Sequence, residues 1–527
     1  MSEPGPPWWQ RGVIYQVYPR SFQDSGGDGV GDLKGVTGRL PYLKGLGVDA
    51  VWLSPVYPSP MADFGYDVSN YTGIDPLFGS LEDFDALIGR AHGLGLKLIM
   101  DFVPNHTSDQ HPWFVESRSS RLSPRRDWYI WRDPAPNGGL PNNWLSTFGG
   151  TGWEWDAATG QFYYHAFLKQ QPDLNWRNPE VRAAMFEVLR FWLDRGVDGF
   201  RIDVIWHLIK DAQFRDNPPN PNFRPGRAAA ERFLETSSAD RPEVHALIAE
   251  MRRFVDQWPD RVLIGELYLP LERLVSYYGA GLDGVQLPFN FQLLHARWRA
   301  EDIAGIIRRY EAALPKGAWP NWVLGNHDRH RIATRAGPAQ AGVAAMMLLT
   351  LRGTPTLYQG DELGLEDVEI PPDQVKDPWE KQEPGLGLGR DPERTPMPWD
   401  ASPNAGFTTG RPWLPLNPDW TTRNVAAEDQ APGSTLRLYR RLLELRRDSP
   451  ALQLGDIAEV TAQDGVLAYV RRRDQQTLRV VLNLTGERRS VPCPNGRLAL
   501  STRHERTSGA VAGQLELAPD EGVVLDV

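Results

Sequence analysis

The feature that most constrains the fold of this chain is a regular alternation of short β-rich runs with amphipathic helical segments. Such an alternation predicts a parallel sheet covered by helices, either closed as a (β/α)₈ barrel or open and doubly wound. No Gly-rich phosphate fingerprint follows any of the strands, and polar residues gather just after several of them, so we expect the closed α/β barrel. The eight predicted strands are residues 13–17, 51–53, 98–103, 199–205, 262–264, 285–287, 322–324 and 355–358.

Two parts of the 527-residue chain depart from this alternation. Residues 104–176 are rich in Pro, Gly, Trp and Asp without helical periodicity, which predicts a domain inserted after the third strand. From about residue 453 the pattern changes to short alternating strands with a hairpin at Asp464-Gly465, which predicts a C-terminal antiparallel β-sandwich. We therefore expect a barrel in two parts, 1–103 and 177–452, an inserted domain at 104–176 and a β domain at 453–527.

Composition argues against several classes of partner. A net charge of −10 is unfavourable for nucleic acid, because a phosphate binder needs a basic face. The longest apolar run, residues 343–349, is too short to span a bilayer. The N-terminus lacks the basic and apolar regions of a secretory signal, and the single cysteine, Cys493, fits a reducing compartment. We expect a cytoplasmic protein that binds neither nucleic acid nor membrane; the oligomeric state stays open.

Three acidic residues follow or end predicted strands. Arg201 and Asp203 share one face of the fourth strand, because strand side chains alternate with period two. Taken alone, this pair is equally compatible with a buried ion pair that only fixes strand register. Glu266 ends the fifth strand and Asp328 follows the seventh. Three carboxylates therefore converge on the carboxyl-terminal rim of the barrel, where catalytic residues of this fold lie.

Converging acids of this kind suit cleavage of a glycosidic bond, which needs one carboxylate and one carboxylic acid. Arg201 should lower the pKa of Asp203 and keep it ionised. Glu266 has no basic neighbour in sequence, so its pKa should rise toward that of a general acid. Asp328 would then bind hydroxyl groups of the sugar. A metal-dependent hydrolase is the competing use of such acids, but no His-x-His or His-Glu-x-x-His spacing occurs.

Four segments of the chain resemble, in order, the signature regions of the α-amylase superfamily of glycoside hydrolases: DFVPNH at 101–106, GFRID at 199–203, GE at 265–266 and NHD at 326–328. QPDLNW at 171–176 is similar to the region that marks its oligo-1,6-glucosidase and α-glucosidase branch. The resemblance implies a retaining double displacement without a catalytic cofactor, in which Asp203 is the nucleophile, Glu266 the acid/base and Asp328 the transition-state stabiliser. It also implies positions that hold the non-reducing glucose, which are Asp63, Tyr66, His106, Phe167, Arg201, His327 and Arg390.

The function implied by the resemblance is that of an exo-acting α-glucosidase on short α-glucosides, with the inserted domain narrowing the site to a pocket. In this branch Val after the nucleophile is associated with α-1,6 cleavage and Ala with α-1,4, and this chain has Val204. We expect α-1,6 activity, with α-1,4 linkages and sucrose as further candidates. A glucosyl transferase or sucrose isomerase would use the same covalent intermediate and stays open. A non-catalytic relative would lack a catalytic acid and carry a membrane anchor, and the sequence shows neither feature.

A Gly-rich segment at residues 24–32 carries alternating acids. Oxygen ligands in such a loop suit a hard cation, and the segment resembles a Ca²⁺ or Mg²⁺ loop of the same branch, with Gly26 in place of the usual Asn. An ordinary acidic turn is the alternative. The expected ligands of this structural ion are Asp24, Asp28, Val30 and Asp32.

Overall fold

Three β-strands and their helices begin the barrel. The computed structural model describes residues 5–507 and 509–527; the first four residues, part of the N-terminal segment that we expect to lack a signal, lie outside this range. Ser80 caps the second barrel helix, because its hydroxyl accepts from the Asp83 N–H while the Asp83 carboxylate accepts from the Ser80 N–H. The elements are α1 (Trp8–Arg11), β1 (Ile14–Val17), α2 (Leu33–Leu46), β2 (Ala50–Leu53), α3 (Leu81–Gly93) and β3 (Lys97–Phe102).

The segment after β3 forms a small antiparallel sheet beside a short helix. Its elements are α4 (Pro112–Ser119), β4 (Trp131–Arg132), β5 (Trp153–Asp156) and β6 (Gln161–Tyr164), and the strand order is β4-β6-β5. So small a sheet needs additional packing to be stable. Aromatic rings supply it, since Phe114 packs against both Trp131 and Tyr163. At the junction with the barrel, the Trp176 indole N–H donates to the carbonyl of Pro104 at 2.7 Å.

The second part of the barrel continues the alternation. Its elements are α5 (Pro179–Asp194), β7 (Gly199–Ile202), α6 (Glu243–Val255), β8 (Val262–Gly265), α7 (Leu271–Leu274), β9 (Leu287–Pro288), α8 (Gln292–His295), α9 (Ala300–Ala313), β10 (Asn321–Val323), α10 (Ile332–Ala336), α11 (Ala341–Thr350) and β11 (Thr354–Tyr358). The eight barrel strands pair in parallel in the order β10-β11-β1-β2-β3-β7-β8-β9. This order confirms the predicted (β/α)₈ barrel, which is nearly closed because β9 and β10 stand at its two ends.

The fourth barrel strand is shorter than predicted. It ends at Ile202 rather than at residue 205, because Val204 has φ 36° and ψ 47°, a left-handed conformation that cannot continue a strand. The long connection that follows, residues 203–242, contains only two short 3₁₀ turns, at Ile205–His207 and Ala229–Arg232. The sequence patterns predict long loops after the third and eighth strands, and this third long loop is an addition.

The connection after β11 ends in the last helix of the barrel. Ser434 caps this helix, α14 (Thr435–Asp448), and Leu436, Tyr439 and Leu442 form its buried face, as the periodicity predicts. The helices of this part are α12 (Pro378–Gln382), α13 (Val425–Gln430), α14 (Thr435–Asp448) and α15 (Pro450–Leu454). Within the described residues, no helix combines the length and the apolar character that a bilayer crossing requires.

Six antiparallel strands make the C-terminal domain. They are β12 (Asp456–Gln463), β13 (Val466–Arg473), β14 (Gln476–Asn483), β15 (Arg489–Ser501), β16 (Ala510–Leu517) and β17 (Gly522–Asp526), hydrogen-bonded in the order β12-β13-β14-β17-β15-β16. The predicted hairpin joins β12 to β13, with Asp464 and Gly465 at positive φ. Leu467 joins the main core of the protein, whereas Val466 belongs to a second cluster with residues of β15 and β16. The domain thus consists of one continuous sheet, and both faces of that sheet carry buried residues.

Candidate active site

One buried arginine gathers three carboxyl groups at the carboxyl ends of the barrel strands. Arg201 lies in β7, Asp101 in β3, Asp203 directly after β7 and Glu266 directly after β8. The Arg201 Nη1 donates to Asp101 Oδ1 at 2.8 Å and to Asp203 Oδ1 at 2.7 Å. Its Nη2 lies 2.7 Å from Glu266 Oε2. The Arg201 side chain has no exposed surface, so these contacts form in a low-dielectric environment.

Three acids share this one cation, and their pKa values reflect the imbalance. Burial raises the pKa of Asp203 well above its usual range; Arg201 opposes the rise, whereas Glu266 and Asp101 add to it. Burial also raises the pKa of Asp101 to about 6 against the effect of Arg201. The expected lowering of the Asp203 pKa is therefore wrong. Glu266 has no basic neighbour in sequence, but the fold brings Arg201 to it from the preceding barrel strand.

Val204 lies between the two acids in an unusual backbone conformation. A left-handed φ is rare for a β-branched residue and costs on the order of 1–3 kcal/mol. The conformation directs the Val204 N–H to Glu266 Oε2, to which it donates at 2.9 Å. The side chain of Val204 lines the same cavity as Asp203 and Glu266. Backbone strain at this position therefore contributes directly to the placement of Glu266.

Asp328, after β10, has a different electrostatic environment. Arg394 Nη2 donates to its Oδ1 at 2.7 Å, and Arg390 Nη1 donates to the same oxygen at 3.3 Å. His327 Nε2 lies 3.3 Å from its other oxygen. Burial raises the pKa of Asp328, but His327, Arg394 and Arg390 together outweigh burial and lower it. Asp328 therefore stays ionised.

A chain of polar contacts joins the inserted segment to the barrel. Arg390 donates to Asp63 Oδ1 at 2.7 Å, and Asp63 Oδ2 accepts from the Gln171 amide at 3.2 Å. The same amide nitrogen lies 3.1 Å from His106 Nε2, and burial lowers the pKa of His106 to about 4. The Phe167 ring packs against the His106 ring with centroids 5.3 Å apart. These residues form one wall of the site.

Tyr66 and His327 connect that wall to the acids. The Tyr66 hydroxyl lies 2.7 Å from His327 Nε2 and donates to Asp101 Oδ2 at 3.1 Å. The rings of Tyr66 and His327 are stacked with centroids 5.5 Å apart. Burial lowers the pKa of His327 well below its usual value, so this imidazole is neutral. Gln16 of β1 holds its other nitrogen at 2.7 Å.

A single cavity of about 1000 Å³ opens onto this arrangement. Arg201 and His327 have no exposed surface and support the lining from behind. Of the eleven predicted catalytic and substrate-binding residues, the other nine line the cavity: Asp63, Tyr66, His106, Phe167, Asp203, Val204, Glu266, Asp328 and Arg390. The fold therefore brings together residues that are separated by up to 327 positions.

Three contributors to the site were not identified from the sequence. Gln171 begins the segment at 171–176 that resembles the α-glucosidase branch, yet its contacts with Asp63 and His106 depend on tertiary packing. Arg394 lies four residues after Arg390 in a loop without periodicity, and only its pairing with Asp328 reveals its role. Several residues between positions 227 and 242, in the loop after β7, also line the cavity. No local signal in the sequence predicts this last placement.

The acidic loop at residues 24–32 lies outside the cavity lining. Asp24 Oδ1 accepts from the N–H groups of Gly26 and Gly27, each at 2.7 Å, and Asp32 Oδ1 caps α2 by accepting from Gly35. A Cβ on Gly26 would lie 3.6 Å from Asp24 Oδ1 and 3.9 Å from Asp32 Oδ2, between the two carboxylates. The Gly26 N–H also donates to Asp32 Oδ2 at 3.2 Å, so this backbone group contacts both carboxylates.

The donor set of this loop remains compatible with a hard cation. Asp24 and Asp32 converge on Gly26, and Asp28 Oδ1 accepts from the Val30 N–H at 2.9 Å, which leaves the other Asp28 oxygen and the Val30 carbonyl as further oxygen donors. Oxygen ligands of this kind suit Ca²⁺ or Mg²⁺. The backbone donors account for the loop conformation by themselves, so ion binding stays a prediction.

A family model described as the alpha amylase catalytic domain matches residues 16–455. The chain belongs to the alpha-amylase family. A second model, described as a domain of unknown function, matches residues 455–524, which correspond to the C-terminal sheet of this family member. The membership confirms the resemblance of the four sequence segments and makes the protein a glycoside hydrolase.

Curated relatives of this alpha-amylase family member share about 40% of its residues. A probable alpha-glucosidase of Rhizobium meliloti (strain 1021) is 43% identical over 94% of this chain and 93% of its own length. An oligo-1,6-glucosidase of Parageobacillus thermoglucosidasius is 39% identical over 91% of this chain and 90% of its own length.

Solved structures agree with the fold. An alpha-glucosyl transfer enzyme, XgtA, superposes with a TM-score of 0.94 at 41% identity, covering 99% of both chains. The trehalulose synthase MutB from Pseudomonas mesoacidophila MX-45 superposes with a TM-score of 0.92 at 38% identity, covering 99% of this chain and all of its own.

Proposed function

We propose that this protein is an exo-acting, retaining α-glucosidase that releases glucose from the non-reducing end of short α-glucosides. The observation that carries the proposal is that the buried guanidinium of Arg201 contacts both Asp203 and Glu266. These two acids and Asp328 line the same cavity. Relatives named alpha-glucosidase and oligo-1,6-glucosidase, similar over at least nine tenths of this chain, support it.

In the first step of the proposed reaction, a carboxylate oxygen of Asp203 attacks the anomeric carbon. Glu266 gives its proton to the glycosidic oxygen, the bond from that oxygen to the anomeric carbon breaks, and the remaining alcohol leaves. In the second step, Glu266 takes a proton from water, the water oxygen attacks the same carbon, and the bond to Asp203 breaks. The excess of acids over cations around Arg201 favours one retained proton on the pair, which this mechanism requires.

One wall of the cavity suits the terminal glucose of a substrate. Asp63, His106 and Arg390 are tied to one another through Gln171 and carry fixed hydrogen-bonding groups, so this wall suits the hydroxyls of a terminal glucose. Asp328, kept ionised, would accept hydrogen bonds from glucose hydroxyls most strongly as positive charge develops at the anomeric carbon. A wall closed by the inserted segment favours attack at chain ends.

The proposed linkage preference is α-1,6, with α-1,4 linkages and sucrose as additional substrates. Its support is Val204, whose side chain lines the cavity beside Asp203 and Glu266. The proposal also includes a cytoplasmic location, for which the single cysteine, Cys493, is the support. It involves no cofactor in the chemical steps, and a structural Ca²⁺ or Mg²⁺ in the loop at 24–32 remains part of it.

Glucosyl transfer or isomerisation is the second candidate function. Two observations favour it: the likeness to XgtA and MutB, and a cavity of about 1000 Å³ that extends to residues 227–242 and leaves room for an acceptor sugar. A sugar hydroxyl would then replace water in the second step, with the same transfer of its proton to Glu266.

The test incubates purified protein with maltose, isomaltose, sucrose, trehalose and nitrophenyl glucoside, and identifies the products by chromatography at low and high substrate concentration. Glucose as the main product supports hydrolysis, whereas new disaccharides at high concentration support transfer. Asp203→Asn should lower kcat on the order of 10³-fold or more, because it removes the nucleophile. Activity retained by that variant would overturn the mechanism.

A further inference from the structure

A histidine and two acids meet outside the cavity lining, in three segments that follow the last two barrel strands. His330 precedes α10, Asp367 follows β11, and Glu393 lies in the loop between α12 and α13. One ligand atom from each side chain lies within 4.8 Å of the other two. Elsewhere in the part of the chain that the structure describes, no group of three His, Cys, Asp or Glu side chains satisfies this criterion.

Glu393 is the member of this group that packing leaves unexplained. Its side chain is 1% exposed, and among the described residues Oε2 has no hydrogen-bond partner. Its backbone carbonyl accepts from Arg331 Nη2 at 2.8 Å and from the Tyr358 hydroxyl at 2.9 Å, which fixes the main chain at this residue. A buried carboxyl oxygen without a donor is destabilising, so its position beside two further ligand groups calls for a partner.

Backbone contacts orient Asp367 toward His330. The Arg331 N–H donates to Asp367 Oδ1 at 2.8 Å, and the Asp367 N–H donates to Thr334 Oγ1 at 2.7 Å. The second carboxylate oxygen, Oδ2, therefore faces His330 Nδ1 at 2.8 Å. The His330 side chain is 48% exposed, so the group opens to solvent on one side.

We propose that His330, Asp367 and Glu393 bind a divalent transition-metal ion, with Zn²⁺ the best fit. One imidazole nitrogen and two carboxylate oxygens form a ligand set that Zn²⁺ accepts, with water in the fourth position on the exposed side. The imidazole disfavours Ca²⁺ and Mg²⁺, and no thiolate is present to select Cu⁺. The distance of 2.8 Å between His330 and Asp367 is that of a direct hydrogen bond. On binding, the exposed imidazole loses that proton and moves slightly outward.

The position of this metal site determines its effect. Glu393 is the residue before Arg394, which holds Asp328, and His330 lies two residues after Asp328. An ion at the site would connect the segments after β10 and β11 to the loop that carries Arg394. It would therefore stabilise the chain around Asp328 without touching the substrate.

The test titrates Zn²⁺ into the chelator-treated full-length protein by calorimetry and measures Tm with and without the ion. One equivalent should bind and raise Tm by a few degrees, because an ion that binds only the folded state stabilises it. His330→Asn and Glu393→Gln should each lower the affinity at least tenfold and remove the Tm shift. The matched control is His504→Asn, which alters an exposed histidine paired with Glu505 at 3.0 Å; among the described residues this pair belongs to no group of three ligands.

Two results would overturn the proposal: wild-type protein that binds no Zn²⁺, or His330→Asn protein that binds it with unchanged stoichiometry and affinity. If Glu393→Gln does not fold, His330→Asn decides the question, because its side chain is half exposed and its replacement leaves the core intact. Retention of the site in His504→Asn is required for support.

Discussion

Replacement of Arg201 by methionine tests the electrostatic reasoning about the active site most directly. Methionine replaces the aliphatic part of arginine and carries no charge, so the change leaves Asp101, Asp203 and Glu266 close together with no cation among them. Removing one partner of a buried ion pair costs about 3–5 kcal/mol, because the remaining charge keeps its desolvation penalty. We expect a loss of this size at pH 8, where the acids are most fully ionised.

The loss should depend on pH in a direction that the structure determines. Arg201 lowers the pKa of Asp101 and Asp203, so its removal raises both folded-state values further above the value of about 4 in the unfolded chain. The folded variant then holds protons that its unfolded chain releases, and stability falls as pH rises. One retained proton is worth about 1.4 kcal/mol per pH unit. Because Asp101 already holds its proton below about pH 6 in the wild type, the additional retention lies mainly between pH 6 and pH 8, and the loss at pH 5 should be smaller than at pH 8 by up to about 3 kcal/mol.

The assay is urea unfolding followed by tryptophan fluorescence at pH 5 and pH 8, with Arg446→Met as the matched control. Arg446 is equally buried but donates to the carbonyls of Leu349 and Gly353, which do not titrate. Burial lowers the pKa of Arg446 to about 10, still above both test values, so its replacement should cost the same at each pH. An Arg201→Met loss below about 1 kcal/mol, or one equal at the two pH values, would contradict the electrostatic role assigned to Arg201.

Three further expectations concern single positions. Val204→Ala should lower kcat/KM for isomaltose relative to maltose by about tenfold, or about 1.4 kcal/mol in transition-state binding; an unchanged ratio would contradict the role of this side chain. Ca²⁺ added to chelator-treated protein should raise Tm, and Asp28→Asn should weaken that response; an unchanged Tm would count against the loop as an ion site. Burial raises the pKa of Asp361 to about 7, so stability should fall between pH 4 and pH 7 as the unfolded chain releases this proton first, and Asp361→Asn should flatten the slope of Tm against pH.

The barrel could be predicted because its determinants are local. Ser80 with Asp83 at α3 and Asn178 with Pro179 at α5 mark helix starts that the structure reproduces. The parallel strands are buried on both faces and read as short apolar runs in sequence. Repetition of these signals in strict order leaves few folds other than a (β/α)₈ barrel.

The partners of the charged residues could not be predicted in the same way. Glu266 meets Arg201 across 65 positions, and Arg394 meets Asp328 across 66, through pairings that only strand order and loop closure determine. The sequence neighbours of Asp203 therefore predict the wrong direction for the shift of its pKa. The left-handed Val204 was also hidden, because a β-branched residue after an apolar run ordinarily indicates more strand.

The distribution of cations within the site explains how neighbouring acids can have different roles. Asp328 has two arginines within 3.3 Å, and its pKa is lowered despite burial. Asp203 and Glu266 share one guanidinium with Asp101, and burial raises the pKa of Asp203. A retaining mechanism needs one fixed anion near the developing charge and a single proton on the nucleophile and acid pair, which the acid gives to the glycosidic oxygen. Two arginines beside Asp328 and a single arginine beside Asp203 and Glu266 provide these two conditions. Asp101 therefore contributes to the proposed chemistry without touching substrate, because its charge helps to keep the proton on the pair.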